Sequence, residues 1–274
     1  MIRLSDVCTS MRRTEILHGV SFTARAGEFV ALVGPNGAGK TTLLKHLNGL
    51  VKPTTGTVSV CGIDTRRAKT SALARHVGFL FQNPDQQILC PTVREELRFG
   101  LRHCGVPKDT WDSRIEEAAR LTDLSSKLDS DPLMLTRSRR QRVALASVLA
   151  TDPEILVLDE PTSAQDERET ERIMGIAREL RGRGKTIILV SHDMELVSKY
   201  ADRVIVLIDG RIALDGAPGE AFSDEGLLAR AHLSMPGYYR AAKALSLEIP
   251  ECAAADPVAL MADSIERLIR KEAP

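Results

Sequence analysis

The sequence predicts an α/β fold built on a mixed, mostly parallel sheet, and three observations lead there. FVALV at 29–33, HVGFLF at 76–81, EILVLD at 154–159, KTIILVS at 185–191 and RVIVLID at 203–209 are short and nearly continuous in apolar residues. That is the pattern of strands covered on both faces. Stretches with helical spacing separate them, as crossovers between parallel strands require. Around Asp209-Gly210, RVIVLI and RIALDG read as two arms of a hairpin, which adds an antiparallel β piece at the periphery.

Taken along the chain, strand 29–33 runs directly into GPNGAGKTT and then LLKHLNGL, which carries helical spacing. Gly34-xxxx-Gly39-Lys40-Thr41 satisfies the P-loop pattern in the strand-to-helix context it requires, so a P-loop NTPase is expected. Glycines such as Gly34, Gly37 and Gly39 permit positive φ, and Asn36 lies among them. Successive backbone N–H groups can then wrap a β-phosphate at a helix N-terminus, where Thr42 follows Thr41. Lys40 is expected to reach the β- and γ-phosphates, and Thr41 to hold Mg2+.

Strand 76–81 leads into Gln82, a neutral group able to touch both magnesium and an attacking water. From Pro91 to Ala150 the segments EELRFGL, SRIEEAARLTDL and RRQRVALASVLA are helical, with no strand of comparable length. A helical subdomain inserted at about 84–150 is expected. ILVLDEP then places Asp159 at a strand end as a metal carboxylate, with Glu160 beside it as general base. TIILVSHD brings His192 to the end of the next strand, where it can contact a γ-phosphate. After about Phe222 a second helical region is expected. There PVALMADSIERLIRK puts Val258, Met261, Ile265 and Leu268 on one stripe, to pack on its own domain or on another subunit.

Composition narrows the function. The chain has 274 residues, and its Lys+Arg and Asp+Glu counts are both 37. Zero net charge weighs against a globally basic nucleic-acid binder. Five scattered cysteines without CxxC spacing suggest reduced thiols in the cytosol. No signal-type apolar segment or membrane-length apolar run is present, so the chain is expected to act at a membrane only by docking on a protein that crosses it.

Together, GPNGAGKTT, FQNPDQQ, ILVLDEPTSAQD and SHD, in this order and spacing, resemble the nucleotide-binding subunit of an ATP-binding cassette (ABC) transporter over about residues 1–220. FQNPDQQILCPTVREELRFGL is similar to the stretch found in energy-coupling-factor (ECF) importers of vitamins or transition-metal ions. The resemblance implies a RecA-like core in an ABC ATPase domain at 1–222, with a C-terminal helical extension at 223–274. It also implies a head-to-tail pair of ATPase subunits, each ATP lying between one P-loop and the opposite chain's signature motif. Integral-membrane coupling and substrate-binding subunits complete such importers at the cytoplasmic face of the membrane.

The signature usually reads LSGGQ. Here LTRSRRQR stands in its place, with Thr136 for the serine and Arg137 and Ser138 for the two glycines. Thr136 keeps the hydroxyl and Ser138 its backbone N–H. Arg137 is bulky, and it costs about 1–2 kcal/mol if the position requires positive φ. A signature serves the nucleotide held by the opposite chain, so an asymmetric heterodimer is expected, in which a partner with an intact signature completes this chain's ATP site.

Two other departures bear on the site. The family commonly has an aromatic near Met11 to stack on adenine, where this chain has none, and Gln165 replaces the leucine before Asp166 at the dimer interface. Two other readings remain open at this stage. One is a soluble ABC-type ATPase acting on nucleic acid or ribosomes, with Arg137, Arg139, Arg140 and Arg142 on phosphates. The other is a regulatory subunit that binds ATP and hydrolyses it weakly.

Overall fold

Residues 2–11 and 14–245 are described by the structure, a computed structural model. The strands are β1 (Ile2–Met11), β2 (Thr14–Ala24), β3 (Phe29–Val33), β4 (Thr55–Val60), β5 (Ile63–Asp64), β6 (Val77–Leu80), β7 (Ile155–Asp159), β8 (Thr186–Val190), β9 (Arg203–Ile208) and β10 (Arg211–Gly216). The α-helices are α1 (Lys40–Leu47), α2 (Thr70–Leu73), α3 (Val93–His103), α4 (Trp111–Leu121), α5 (Arg137–Ala150), α6 (Glu167–Gly182), α7 (Met194–Tyr200), α8 (Pro218–Ser223), α9 (Glu225–Ala231) and α10 (Gly237–Ala244).

Six strands in the order β10-β9-β3-β8-β7-β6 form the main sheet. Every neighbour pair from β9 to β6 is parallel, and only β10 runs antiparallel, on β9. Every residue of β3, β7 and β8 is buried, which explains why these strands are apolar without alternation. The predicted α/β fold with a mixed sheet is therefore the fold found. Asp209 and Gly210 both lie at positive φ, 45° and 70°, and turn the β9–β10 hairpin.

A second sheet, not anticipated as a separate layer, has the antiparallel order β2-β1-β4-β5. Its inner face packs with α1 against one face of the main sheet, joining Leu4, Val7, Leu17, Val58 and Val60 to Val30 and Leu44. The other face of the main sheet shares its core with α3, α4 and α5 of the helical subdomain and with α8, α9 and α10. Leu97, Leu101, Ile115 and Leu145 are fully buried or nearly so in that cluster, and Leu227, Leu228 and Tyr239 close it from the C-terminal side. Helical structure on this side begins at Pro218, slightly earlier than expected, because proline presets the first helical φ. The stripe Val258, Met261, Ile265 and Leu268 lies outside the described residues.

Arg142 joins the subdomain to the core. Its guanidinium, 6% exposed, pairs with Asp123 after α4 and with Glu169 on α6, and it also donates to the Thr122 carbonyl. Among the described residues no helix is long and apolar enough to cross a membrane.

Candidate functional site

The site begins where β3 turns into α1. Gly34 sits at φ 145°, where an added Cβ would overlap the Leu207 carbonyl oxygen of β9. Gly37, at φ 84°, faces open space, and Gly39, at φ 100°, is the N-cap of α1. Since glycine offers no capping side chain and no acidic residue occupies the first turn, the leading N–H groups of α1 remain available to an anion. By contrast, α3, α5, α6, α7 and α9 are capped by Thr92, Thr136, Asp166, Asp193 and Asp224.

Lys40 is 7% exposed, and its ammonium donates to the carbonyls of Gly34 at 2.7 Å and Pro35 at 2.9 Å. Burial pulls its pKa below the usual lysine value, against the opposing pull of Glu160 and Asp159. Thr41 Oγ1 donates to Asp159 Oδ2 at 3.1 Å across the gap between α1 and β7. Burial pushes the Asp159 carboxyl above the usual carboxylate range, against the hydrogen bond from Thr41. Thr41 and Asp159 thus present an all-oxygen pair that suits a hard divalent cation such as Mg2+.

Glu160 follows β7 at φ 50°, an unfavourable conformation for a residue with a side chain, and its N–H donates to the Val190 carbonyl at 3.0 Å. Gln82 Nε2 donates to Glu160 Oε2 at 2.7 Å. His192 Nε2 lies 2.8 Å from Glu160 Oε1. Because β6, β7 and β8 are parallel neighbours, Gln82, Asp159, Glu160 and His192 leave the same edge of the sheet. Ligand sites in open α/β sheets lie outside this carboxyl edge.

A cleft of about 490 Å³ opens there. Asn36, Gly37, Gly39, Lys40, Thr41 and Thr42 line one side, and Gln82, Glu160 and His192 the other. Ile16 on β2 also lines it, a residue that sequence reasoning missed because nothing in TEILHG shows that β2 passes the P-loop. Met11 is 38% exposed at the end of β1, paired with Thr14, and is absent from this lining. Gln165 lines a smaller pocket of about 250 Å³ on the far side of Glu160 and His192. Its Oε1 is buried without a hydrogen-bond partner.

Thr136 and Ser138 do not join this cleft within one chain. Thr136 caps α5, its Oγ1 accepting from Arg139 N at 3.4 Å. Arg137 and Ser138 form the first turn of that helix, and neither has positive φ. The backbone strain considered for Arg137 therefore does not arise, because its position needs only helical angles. What remains is the bulk and charge of its exposed side chain. The arginines of LTRSRRQR also divide. Arg140 Nε lies 2.7 Å from Asp85 and its Nη1 donates to the Leu135 carbonyl, while Arg142 is buried in internal ion pairs. Only Arg137 and Arg139 are exposed, so the four-arginine phosphate surface of the nucleic-acid reading is not assembled.

A phosphate cradle at the end of one central strand, facing carboxylates from its neighbours, places this chain among the P-loop NTPases. More narrowly, it belongs to the ABC transporter family, whose model matches residues 17–163. The chain is similar to the energy-coupling factor transporter ATP-binding protein EcfA of Methanocaldococcus jannaschii, 41% identical over 225 residues and covering 81% of each chain. It is 43% identical over 229 residues to an ABC transporter ATP-binding protein of Methanosarcina mazei, but there it spans 84% of itself and only 39% of that longer relative. Among solved structures it resembles cbiO1 of Clostridium perfringens, part of the ABC transporter complex cbiONQ, with TM-score 0.74, 30% identity, and coverage of 90% of this chain and 98% of that one. It also resembles a dimeric ATP-binding cassette in a post-hydrolysis state with ADP and Pi, with TM-score 0.70 at 30% identity, covering 78% of this chain and 97% of that one. Enzymes of this family hydrolyse ATP.

Proposed function

We propose that the chain binds and hydrolyses ATP as one half of an asymmetric ATPase dimer in an ECF-type importer for a vitamin or transition-metal ion. The other half is a non-identical ABC ATPase carrying an intact signature. Both dock at the cytoplasmic face of the cell membrane on an integral-membrane coupling subunit, which joins a membrane-embedded substrate-binding subunit. The similarity to EcfA and to cbiO1 of the cbiONQ complex supports this setting. Residues 1–222 form the ATPase domain, with the helical subdomain at about 84–150, and a C-terminal extension follows from 223.

The observation that carries the asymmetry is the contrast within the chain. Gln82, Glu160 and His192 already form a bonded cluster beside the P-loop, whereas the motif offered to the partner's nucleotide begins with Arg137. In hydrolysis, backbone N–H groups from Gly37 to Thr42 hold the β-phosphate, with Gly34 shaping the loop and Asn36 lining the cleft. Lys40 leaves the Gly34 and Pro35 carbonyls for the β- and γ-phosphates. Thr41, Asp159 and Gln82 would hold Mg2+, which neutralises phosphate charge when bound. Glu160 takes a proton from the attacking water as its oxygen bonds to the γ-phosphorus and the bond to ADP breaks. His192 contacts the γ-phosphate, and Met11 adjoins the adenine. On the partner's ATP, Thr136 supplies a hydroxyl and Ser138 a backbone N–H.

The test is ATP turnover by the purified chain, alone and mixed with a cassette carrying LSGGQ. Slow turnover alone and fast turnover in the mixture, abolished by Glu160→Gln, are expected. Turnover by the chain alone that ignores the double change Arg137→Gly, Ser138→Gly would end the asymmetric reading.

A further inference from the structure

We infer that Cys61, His76 and Glu154 form a second metal site, for a borderline-soft divalent transition-metal ion such as Zn2+ or Co2+. The three come from separate elements at the end of β6 and β7 opposite the nucleotide cleft. Cys61 and Gly62 make the two-residue turn between β4 and β5, with Val60 paired to Ile63 and φ of 49° and 79°. His76 immediately precedes β6 and Glu154 immediately precedes β7. The Ile155 N–H donates to the His76 carbonyl at 2.9 Å, and the Thr186 N–H to that of Glu154 at 3.0 Å, so both backbones are held by the sheet.

The side chains converge on one carboxylate. His76 Nδ1 lies 2.7 Å from Glu154 Oε1, and the Cys61 thiol donates to Glu154 Oε2 at 3.7 Å. One donor atom from each of the three residues lies within 4.8 Å of the others. A tetrahedral zinc ion, with bonds of roughly 2.0–2.3 Å, separates adjacent ligand atoms by about 3.3–3.8 Å. The Cys61–Glu154 contact lies in that range, the His76–Glu154 contact is about half an ångström shorter, and the remaining pair is no more than 4.8 Å apart, so side-chain rotation would bring the three to a common ion. Sulfur, nitrogen and oxygen together favour zinc-like ions over Mg2+ or Ca2+, which take oxygen alone. Glu154 is 57% exposed, which leaves an open position for water or an outside ligand.

Loading is balanced by one proton. Burial holds the Cys61 thiol above its usual pKa, so the metal must replace the S–H proton, which leaves to solvent. His76 would bind through Nδ1, with its ring proton on Nε2. Glu154 is already ionised, held below its usual pKa chiefly by the hydrogen bond from His76. The loaded site would tie the antiparallel sheet to the starts of β6 and β7, the two strands that lead into Gln82 and Glu160.

Co2+ titration of the purified, reduced full-length chain in metal-free buffer tests this. One ion per chain is expected, with a thiolate charge-transfer band and tetrahedral-type visible absorption, both displaced by Zn2+. Cys61→Ser should abolish the charge-transfer band, and His76→Gln should weaken binding beyond the roughly 10–100-fold that loss of an outer-shell partner costs. Cys104→Ser should leave both unchanged. Absence of a thiolate band in the wild type, or its survival in Cys61→Ser, would overturn the assignment. Metal-free melting curves identify any variant that fails to fold, and His76→Gln then provides the second test. Oxygen-only binding at Thr41 and Asp159 would give no charge-transfer band and counts against the site.

Discussion

Two helix N-termini in this molecule could each receive a phosphate, and the chain prepares them in opposite ways. At α1 the cap is Gly39, nothing competes for the leading N–H groups, and the basic residues Lys45 and His46 sit in the last turn. At α5, Thr136 already accepts a hydrogen bond from Arg139, and two exposed arginines stand in the first turn. The first end is stripped of side chains so that backbone can reach the anion. The second replaces close backbone approach with long cationic side chains, an exchange of geometry for charge. That contrast suits one end that turns over its nucleotide and another that holds it.

The largest expected effect lies on the α1 side. Glu160→Gln should lower turnover by about 10²–10⁴-fold with ATP binding retained, measured by phosphate release and nucleotide titration. If turnover survives, the proposed active half is not the one carrying this cluster. Next is Arg137→Gly with Ser138→Gly, which should speed hydrolysis at the partner's nucleotide by up to about 10²–10³-fold, the value of one well-placed donor. Single-turnover assays on a mixed dimer whose other site is disabled would show it. No change would mean that LTRSR already works as a signature.

A smaller effect concerns adenine. Base stacking on an aromatic is worth about 1–3 kcal/mol, against about 0.3–1.5 for a sulfur contact, so Met11→Tyr should tighten ATP binding by roughly fivefold. An unchanged Kd would mean that the adenine does not lie beside Met11.

The smallest effect separates the two helices by what anchors them. α1 is tied to β1 through fully buried His46, whose Nδ1 donates to the Thr42 carbonyl at 2.7 Å and whose Nε2 accepts from Thr9 Oγ1 at 2.8 Å. Burial lowers its pKa, so the folded state binds fewer protons than the unfolded one. Its contribution is complete above the unfolded value of about 6.5 and is lost as pH falls from there through the folded pKa. α5 is anchored instead by Arg142, whose charge does not change in this range. Melting at pH 7.5 and 5.5 should show acid destabilisation that His46→Gln reduces.

How far the sequence reveals these features depends on where the physics is local. The main strands were legible because both faces are buried and their runs are unbroken. The P-loop was legible because its glycines and lysine are contiguous. The sheet of β1, β2, β4 and β5 was not, since register shifts between Leu4 and Val7 and again up to Ser10 break the alternation that marks a strand. Asp6 at φ 48° sits at the first of these. The role of Ile16 depends on β2 crossing to the P-loop, a contact between distant segments with no local trace. Arg142 was readable as a motif residue, but its burial between Asp123 and Glu169 emerges only when α4, α5 and α6 meet.

Lys40 has two carbonyl partners within the P-loop itself. A phosphate therefore wins the ammonium by exchange rather than by creating a contact from nothing. Both the heat and the affinity owed to this residue are then net differences, because the bonds formed are offset by those surrendered. Lys40→Ala would then weaken binding by less than the gross strength of an ammonium–phosphate contact, because the lysine serves the loop as well as the ligand.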